Sequence, residues 1–60
     1  MQLRKIRIEQ GLSVPALSRL SGVPVRTIED IEKRGDCKVS TAMKLRSALN
    51  VTLDELCSKD

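Results

Sequence analysis

The side chains that could carry chemistry in this chain are first of all its two cysteines, because the sequence contains no histidine. Cys37 and Cys57 form no Cys-x-x-Cys pair, so a zinc site is not expected. We expect both thiols to be reduced and partly buried, since a disulfide is disfavoured in a reducing compartment. Paired carboxylates, a Gly-rich phosphate loop and an activated nucleophile are all missing, and Ser13 and Ser18 are better explained as a helix cap and a surface or turn-facing residue. The sequence therefore predicts a protein that is not an enzyme and has no cofactor.

The charged residues favour an anionic partner, although only mildly. Eleven Lys and Arg residues against eight Asp and Glu residues give a formal net charge of +3, and many ordinary proteins are as basic. Phe, Tyr and Trp are absent, which argues against readers of RNA and single strands, because those proteins stack bases on aromatic side chains.

Sixty residues allow a single domain, over residues 1–60. A chain of this length buries only about 60% of its unfolded surface, so a deep substrate cavity is not expected. No apolar run approaches the roughly 20 residues of a membrane span, and the start of the sequence does not look like a signal peptide. We therefore expect a cytoplasmic protein with neither a membrane partner nor a small-molecule substrate.

The elements that must position any functional side chain are predicted to be five short helices, since no strand alternation occurs in the sequence. Ser13 offers an N-cap with Pro15 in the first turn after it, Gly11 and Gly22 supply helix ends, and Asn50 offers a left-handed C-cap. The predicted helices cover residues 1–10, 14–20, 25–33 and 39–49, with a short last helix opened by a capping box of Thr52 and Glu55.

Apolar spacing indicates which helix faces are buried. Leu17 and Leu20 stand three positions apart on one face of the second helix, and Val25, Ile28 and Ile31 are predicted to form the buried side of the third. Residues 17–32 thus form a short helix, a tight turn at a glycine and a second helix. That is the helix-turn-helix unit, whose second helix fits the major groove of DNA. Plain helical hairpins share this pattern, so on its own it leaves DNA binding open.

The whole chain carries a more specific set of motifs. In order they are Leu12-Ser13, Leu17-Ser18, Ser21-Gly22-Val23, Thr27-Ile28, Ile31-Glu32 and Ala48-Leu49-Asn50-Val51-Thr52-Leu53-Asp54-Glu55-Leu56. Their order and separation resemble the phage-repressor and Cro-type helix-turn-helix family, the XRE family, over nearly the whole sequence. The resemblance implies an all-α, compact five-helix, lambda-repressor-like domain with the helix-turn-helix at helices 2 and 3. It also implies a sequence-specific transcriptional regulator, a repressor, that places residues 25–33 in the major groove of double-stranded DNA.

The resemblance further implies which residues touch DNA. The positions that hold phosphates in the family are occupied here by Ser13, Val14, Lys33, Arg34, Lys38, Ser40 and Thr41. The base-reading positions are Val25, Arg26, Thr27 and Asp30, with Pro24, Glu29 and Lys33 at neighbouring matching positions. Arg26 is the best candidate reader, because a guanidinium can pair twice with guanine. Arg7 and Glu32 match a family ion pair between the first and third helices.

Several of these assignments have a competing interpretation. Lys33, Arg34 and Lys38 are also what a solvated loop contains, and Arg26 is also an ordinary surface residue. Val25 fits either contact with a thymine methyl group or packing inside the protein.

The sequence also departs from the family pattern. Val14 stands where a polar residue is common, Pro24 where a Ser or Thr cap is common, and Asp30 where a basic or amide residue is common. Glu29 and Asp30 lower affinity for a polyanion unless they accept a cytosine amino proton or point away. The same fold could then serve instead as a protein-interaction module, such as the binding part of an antitoxin or an anti-repressor target.

One module of this size is too small for tight and selective binding, so a homodimer on two half-sites is expected. The predicted dimer surface is the last helix, with Leu53, Leu56 and Cys57.

Overall fold

The computed structural model of the protein describes residues 1–58, which form five helices and no strand. The helices are α1 (Leu3–Glu9), α2 (Val14–Ser21), α3 (Val25–Arg34), α4 (Val39–Leu49) and α5 (Leu53–Cys57). The predicted all-α, five-helix fold is confirmed. No helix in this part of the chain combines the length and the apolarity needed to cross a bilayer.

The helix ends follow from local side-chain chemistry. Ser13 Oγ accepts a hydrogen bond from the Ala16 amide at 3.2 Å and caps α2. At α5, Thr52 Oγ1 accepts from the Glu55 amide and the Glu55 carboxylate accepts from the Thr52 amide, each at 3.0 Å. Asn50 ends α4 in the left-handed conformation, with φ 56°. The predicted N-cap, capping box and C-cap are confirmed.

Three helices differ from the prediction at their ends, and the smallest difference is in α2, which continues beyond residue 20 to Ser21. α1 is shorter at both ends than the predicted range 1–10. α3 continues beyond residue 33 to Arg34, because the next residue, Gly35, is the one that turns left-handed, with φ 75°.

Every helix contributes to one hydrophobic core, and α2 lies between α3 and α4. The buried side chains are Leu3, Leu17, Val23, Ile28, Ile31, Ala42, Leu45, Leu49 and Leu56. α3 packs against both α1 and α2. Its position in the molecule is therefore set by these two helices.

Two apolar side chains lie outside this core, contrary to prediction. Leu20 is 61% exposed although Leu17 is fully buried, because positions three apart on a helix are still about 60° apart around its axis. Val25 is 37% exposed, whereas Ile28 and Ile31 are buried. Val25 is the first residue of α3 and lies at the edge of the helix packing, so its assignment to the buried side was wrong.

The predicted dimer surface also needs a correction. α5 packs against α4 and α1, and Leu56 is completely buried inside the same subunit. Leu56 is therefore a core residue and cannot face a second copy. Leu53 is half-buried and Cys57 is exposed, so these two residues alone of the predicted three reach the surface of α5.

Candidate nucleic-acid interface

α3 has one buried side and one exposed side. Ile28 and Ile31 hold it against the core, and the hydrophilic residues between them turn outward. Of the four predicted base-reading residues, Val25, Arg26 and Asp30 are exposed and Thr27 is half-buried. The exposed set on α3 is Val25, Arg26, Glu29, Asp30, Lys33 and Arg34.

The turn between α2 and α3 is fixed by two serine hydroxyls. Ser18 Oγ donates to the carbonyl oxygen of Val23 at 2.6 Å. Ser21 Oγ donates to the carbonyl oxygen of Leu17 at 2.7 Å and accepts from the Val23 amide at 3.2 Å. Gly22 makes the reversal between them, with φ 75°, a conformation that an L side chain disfavours. These contacts hold the buried Val23, and so the start of α3, in one direction relative to α2.

A second support for α3 comes from α1. Arg7 Nε donates to Glu32 Oε2 at 2.8 Å, and Arg7 Nη2 donates to Glu32 Oε1 at 3.1 Å. The same guanidinium donates through Nη1 to the carbonyl oxygen of Leu12 at 2.8 Å. The side chains of Arg7 and Glu32 are only 12% and 11% exposed. The hydrogen bond to Glu32 raises the pKa of Arg7 above its ordinary value, so the guanidinium keeps its positive charge.

The second half of α3 carries a surface ion pair. Arg34 Nε lies 3.1 Å from Asp30 Oδ1, at i and i+4 of the helix. Both side chains are largely exposed, at 74% and 52% respectively, so the pair contributes little to stability. Its effect is electrostatic, because the carboxylate partly neutralises a cation that faces solvent.

A cleft of about 390 Å³ separates α3 from the start of α4 and contains polar groups from both sides. It brings Thr27 and Asp30, predicted to read bases, next to Lys38 and Thr41, predicted to bind phosphate. Asp36 lines the same cleft. Sequence reasoning missed this carboxylate, since only its place in the loop before α4 brings it near α3.

The remaining predicted phosphate residues have different surroundings. Lys33, Arg34 and Ser40 are exposed, and Ser13 is exposed while its hydroxyl caps α2. Val14 is half-buried and packs against the core. Val14 can therefore offer a phosphate only its backbone amide, whose position at the start of α2 suits that contact.

Neither α3 nor α4 has a side chain that caps its first turn. The residues before them are Pro24 and Lys38, and neither makes a side-chain cap hydrogen bond. The first amides of any helix have no intrahelical acceptor. In α3 and α4 no cap side chain takes the place of that acceptor. The dipole of a helix also makes its N-terminal end attractive to an anion.

A polar helix braced on a second helix through a short glycine turn defines the helix-turn-helix class of DNA-binding proteins. The helix-turn-helix family model matches residues 3–56 of the chain. The chain belongs to the phage-repressor and Cro-type (XRE) helix-turn-helix family, whose members are DNA-binding regulatory domains. No curated protein and no solved structure matches the chain.

Proposed function

We propose that the protein binds double-stranded DNA sequence-specifically as a homodimeric transcriptional repressor, with residues 25–33 of α3 in the major groove. The observation that carries this proposal is the outward polar face of α3, backed by Ile28 and Ile31 in the core. A helix held rigidly at its base and polar on its outer side has the shape and chemistry that enter a B-form groove. Repression would follow from occupation of an operator that polymerase must also use.

Arg26 is proposed as the principal base reader. Its guanidinium lies on the first turn of α3 in an exposed position, where it can donate two hydrogen bonds to O6 and N7 of guanine. The exposure of Val25 supports contact between its methyl groups and a thymine methyl group. Thr27 and Asp30 face the cleft beside the reading face, and Asp30 suits only a base edge that donates, such as the cytosine amino group.

Phosphate contacts are proposed on both sides of that face. Lys33, Arg34 and Lys38 supply charge, Ser40 and Thr41 supply hydroxyl groups at the start of α4, and Ser13 and Val14 lie at the start of α2. The uncapped amides at the start of α4 add donors that point toward an approaching anion.

The dimer is proposed because two half-sites multiply the modest selectivity of one small module. Support for a second interface comes from exposed apolar side chains that DNA does not require. Val39 and Met43 are 72% and 45% exposed and stand one turn apart on α4, and Leu53 and Cys57 reach the neighbouring surface of α5.

Selection of bound duplexes from a random pool tests the proposal. The parent chain is expected to enrich one sequence. Arg26→Ala is expected to lose preference at one base position, at a cost of about 1–3 kcal/mol there, while general duplex affinity is kept. Arg4→Ala is the matched control, since Arg4 is an exposed arginine on α1. A uniform loss of affinity at all sequences would make Arg26 a backbone contact.

A salt titration separates this function from the alternative, a protein-interaction module such as an antitoxin or anti-repressor partner. The alternative is favoured by the charge of α3, where Arg26, Lys33 and Arg34 are balanced by Glu29, Asp30 and Glu32. Duplex binding through phosphates is expected to weaken with a log–log slope of about −0.9 per phosphate contact. No duplex binding even at low salt would overturn the proposal and favour the protein partner.

A further inference from the structure

A second cleft, of about 240 Å³, shares Asp36 and Cys37 with the cleft beside α3 and is bounded by three separate parts of the chain. Its lining includes the first residue, the continuous segment that runs from the loop after α3 into the start of α4, and α5. Ala42 and Leu53 give it apolar walls. None of the predicted base-reading residues lines this cleft, although Val39, Leu53 and Cys57 also belong to the surface proposed for the dimer.

Both cysteines of the chain reach this one cleft. Cys37 lies in the loop before α4 and is half-buried, whereas Cys57 is the last residue of α5 and is exposed, and both thiols are free. Met1 also lines the cleft, so its thioether is a third sulfur group in the same place. Twenty positions of sequence separate the two cysteines, which is why spacing alone gave no sign that they line the same cleft.

We propose that Cys37 and Cys57 form a two-thiolate site for a soft monovalent metal ion, Cu(I), with the Met1 thioether as a further donor. Thiolate and thioether sulfurs are the ligands that select Cu(I). The reaction balances without electron transfer, because one Cu(I) displaces one proton from each thiol and both protons pass to solvent.

The rest of the cleft fits such an ion better than zinc. A structural zinc ion takes four N or S ligands, and residues 1–58 contain no group of three or more His, Cys, Asp and Glu side chains placed to hold a metal. Cu(I) needs fewer donors, and three of the residues that line the cleft carry sulfur. The carboxylate of Asp36 lies at the same cleft and attracts a cation toward it.

Cys37 is partly shielded from solvent. Burial raises the pKa of its thiol above the ordinary value, and the nearby Cys57 and Asp36 raise it further.

Occupation of the site would join the loop before α4 to the end of α5. Cys37 directly precedes Lys38, which is the last residue before α4 and is proposed to bind phosphate. A metal bridge would thus restrain the loop that carries this contact. This consequence rests on the proposed function, whereas metal binding itself does not, so the two are tested separately.

The test titrates the reduced full chain with Cu(I) under anaerobic conditions against a colorimetric Cu(I) chelator, and in parallel with Ag(I). The expected result is saturation at about one ion per chain, with near-ultraviolet absorption from thiolate-to-metal charge transfer. Cys57→Ser and Cys37→Ser are each expected to abolish this binding. Ser47→Ala is the matched control, because this exposed serine on α4 lies outside the cleft and should leave binding unchanged.

Other outcomes would overturn the site. One ion per two chains, lost with Cys57→Ser alone, would mean that exposed cysteines of two copies share the metal. Persistence of binding in Cys57→Ser would also exclude the paired site, as would failure to compete with the chelator. Cys57 is exposed, so its serine variant tests the proposal even if Cys37→Ser unfolds, which circular dichroism detects. If metal binding is observed, a second experiment measures the affinity of the protein for a DNA duplex with and without Ag(I).

Discussion

Arg7 and Glu32 are twenty-five positions apart in the sequence, yet two parallel hydrogen bonds of 2.8 and 3.1 Å join their side chains. A guanidinium and a carboxylate fit each other in this two-pronged way, which fixes direction as well as distance. The third donor of the guanidinium holds the Leu12 carbonyl oxygen. One side chain thus ties together α1, the turn after it and α3. The other ion pair of residues 1–58 lies within α3 and cannot orient that helix.

We expect Glu32→Gln to lower the free energy of unfolding by about 2 kcal/mol. The variant leaves the partly buried guanidinium with a neutral partner, and hydrogen bonds to charged groups contribute about 1.5–3 kcal/mol. Urea unfolding followed by circular dichroism measures the change, since the chain has no aromatic residue to report by fluorescence. Glu29→Gln is the control, because Glu29 is exposed on the same helix. Equal stability of the two variants would show that the pair supports nothing.

Leu17 and Leu20 allow a second comparison within one helix. Leu17→Ala is expected to cost about 3 kcal/mol, because the side chain is fully buried between α2 and its neighbours. Leu20→Ala is expected to change stability by no more than about 0.5 kcal/mol, since that side chain is largely exposed. The free energies of unfolding of the two variants, measured side by side, check the difference. A large loss with Leu20→Ala would indicate that Leu20 is covered in solution, for example by a second copy.

This pair also shows how far the sequence predicts the fold. Ser13, Thr52 and Asn50 were correctly assigned because helix caps depend on residues within a few positions of each other. The exposure of Leu20 and Val25 could not be predicted, since it depends on how the helices that carry them pack against the other helices. The spacing of apolar residues indicates which face of a helix is buried, but not how far around the helix the burial extends.

The same distinction applies to the candidate interface. The resemblance to the family placed Arg7 opposite Glu32, and the structure brings their side chains together. The hydroxyl bonds of Ser18 and Ser21 to the helix-turn-helix backbone were not predicted, because small polar residues at a turn have many local partners to choose from. A Ser two to five positions before a turn residue such as Val23 is the signal that could have revealed them.

Asp30→Asn is expected to raise affinity for a duplex of unrelated sequence several-fold at low salt, with the gain shrinking as salt is added. The carboxylate repels phosphate and also holds Arg34, which the variant would release. Stability should change by less than about 0.5 kcal/mol, because the ion pair is exposed. Titration of one duplex at several salt concentrations measures the effect. Asp54→Asn on α5 is the control, and an affinity gain of the same size there would mean that only net charge matters.

The capping box of α5 predicts a pH dependence of stability. Hydrogen bonds from the Thr52 amide and hydroxyl hold the pKa of Glu55 below its usual range. A carboxyl group whose pKa is lower in the folded state adds stability above its unfolded pKa and loses it as pH falls through the folded pKa. Wild type is therefore expected to be more stable than Glu55→Gln at neutral pH, and the difference should vanish in acid.

Unfolding by urea across a series of pH values measures this difference. Glu9→Gln provides the comparison, since Glu9 is exposed at the end of α1 and takes no part in a cap. A difference between wild type and Glu55→Gln that stays constant down to strongly acidic pH would contradict the capping role.

The amide of Gln2 donates to the carbonyl oxygen of Leu56 at 2.8 Å, so the first turn of the chain touches the last helix. Anything fused to either side of the described domain therefore departs from the same corner, behind α1 and α5. A flexible tether of a few residues, at about 3.3 Å each, reaches across that corner. The two ends can accordingly be joined here in a circular permutant, or two copies of the domain can be linked on one polypeptide, without disturbing α3.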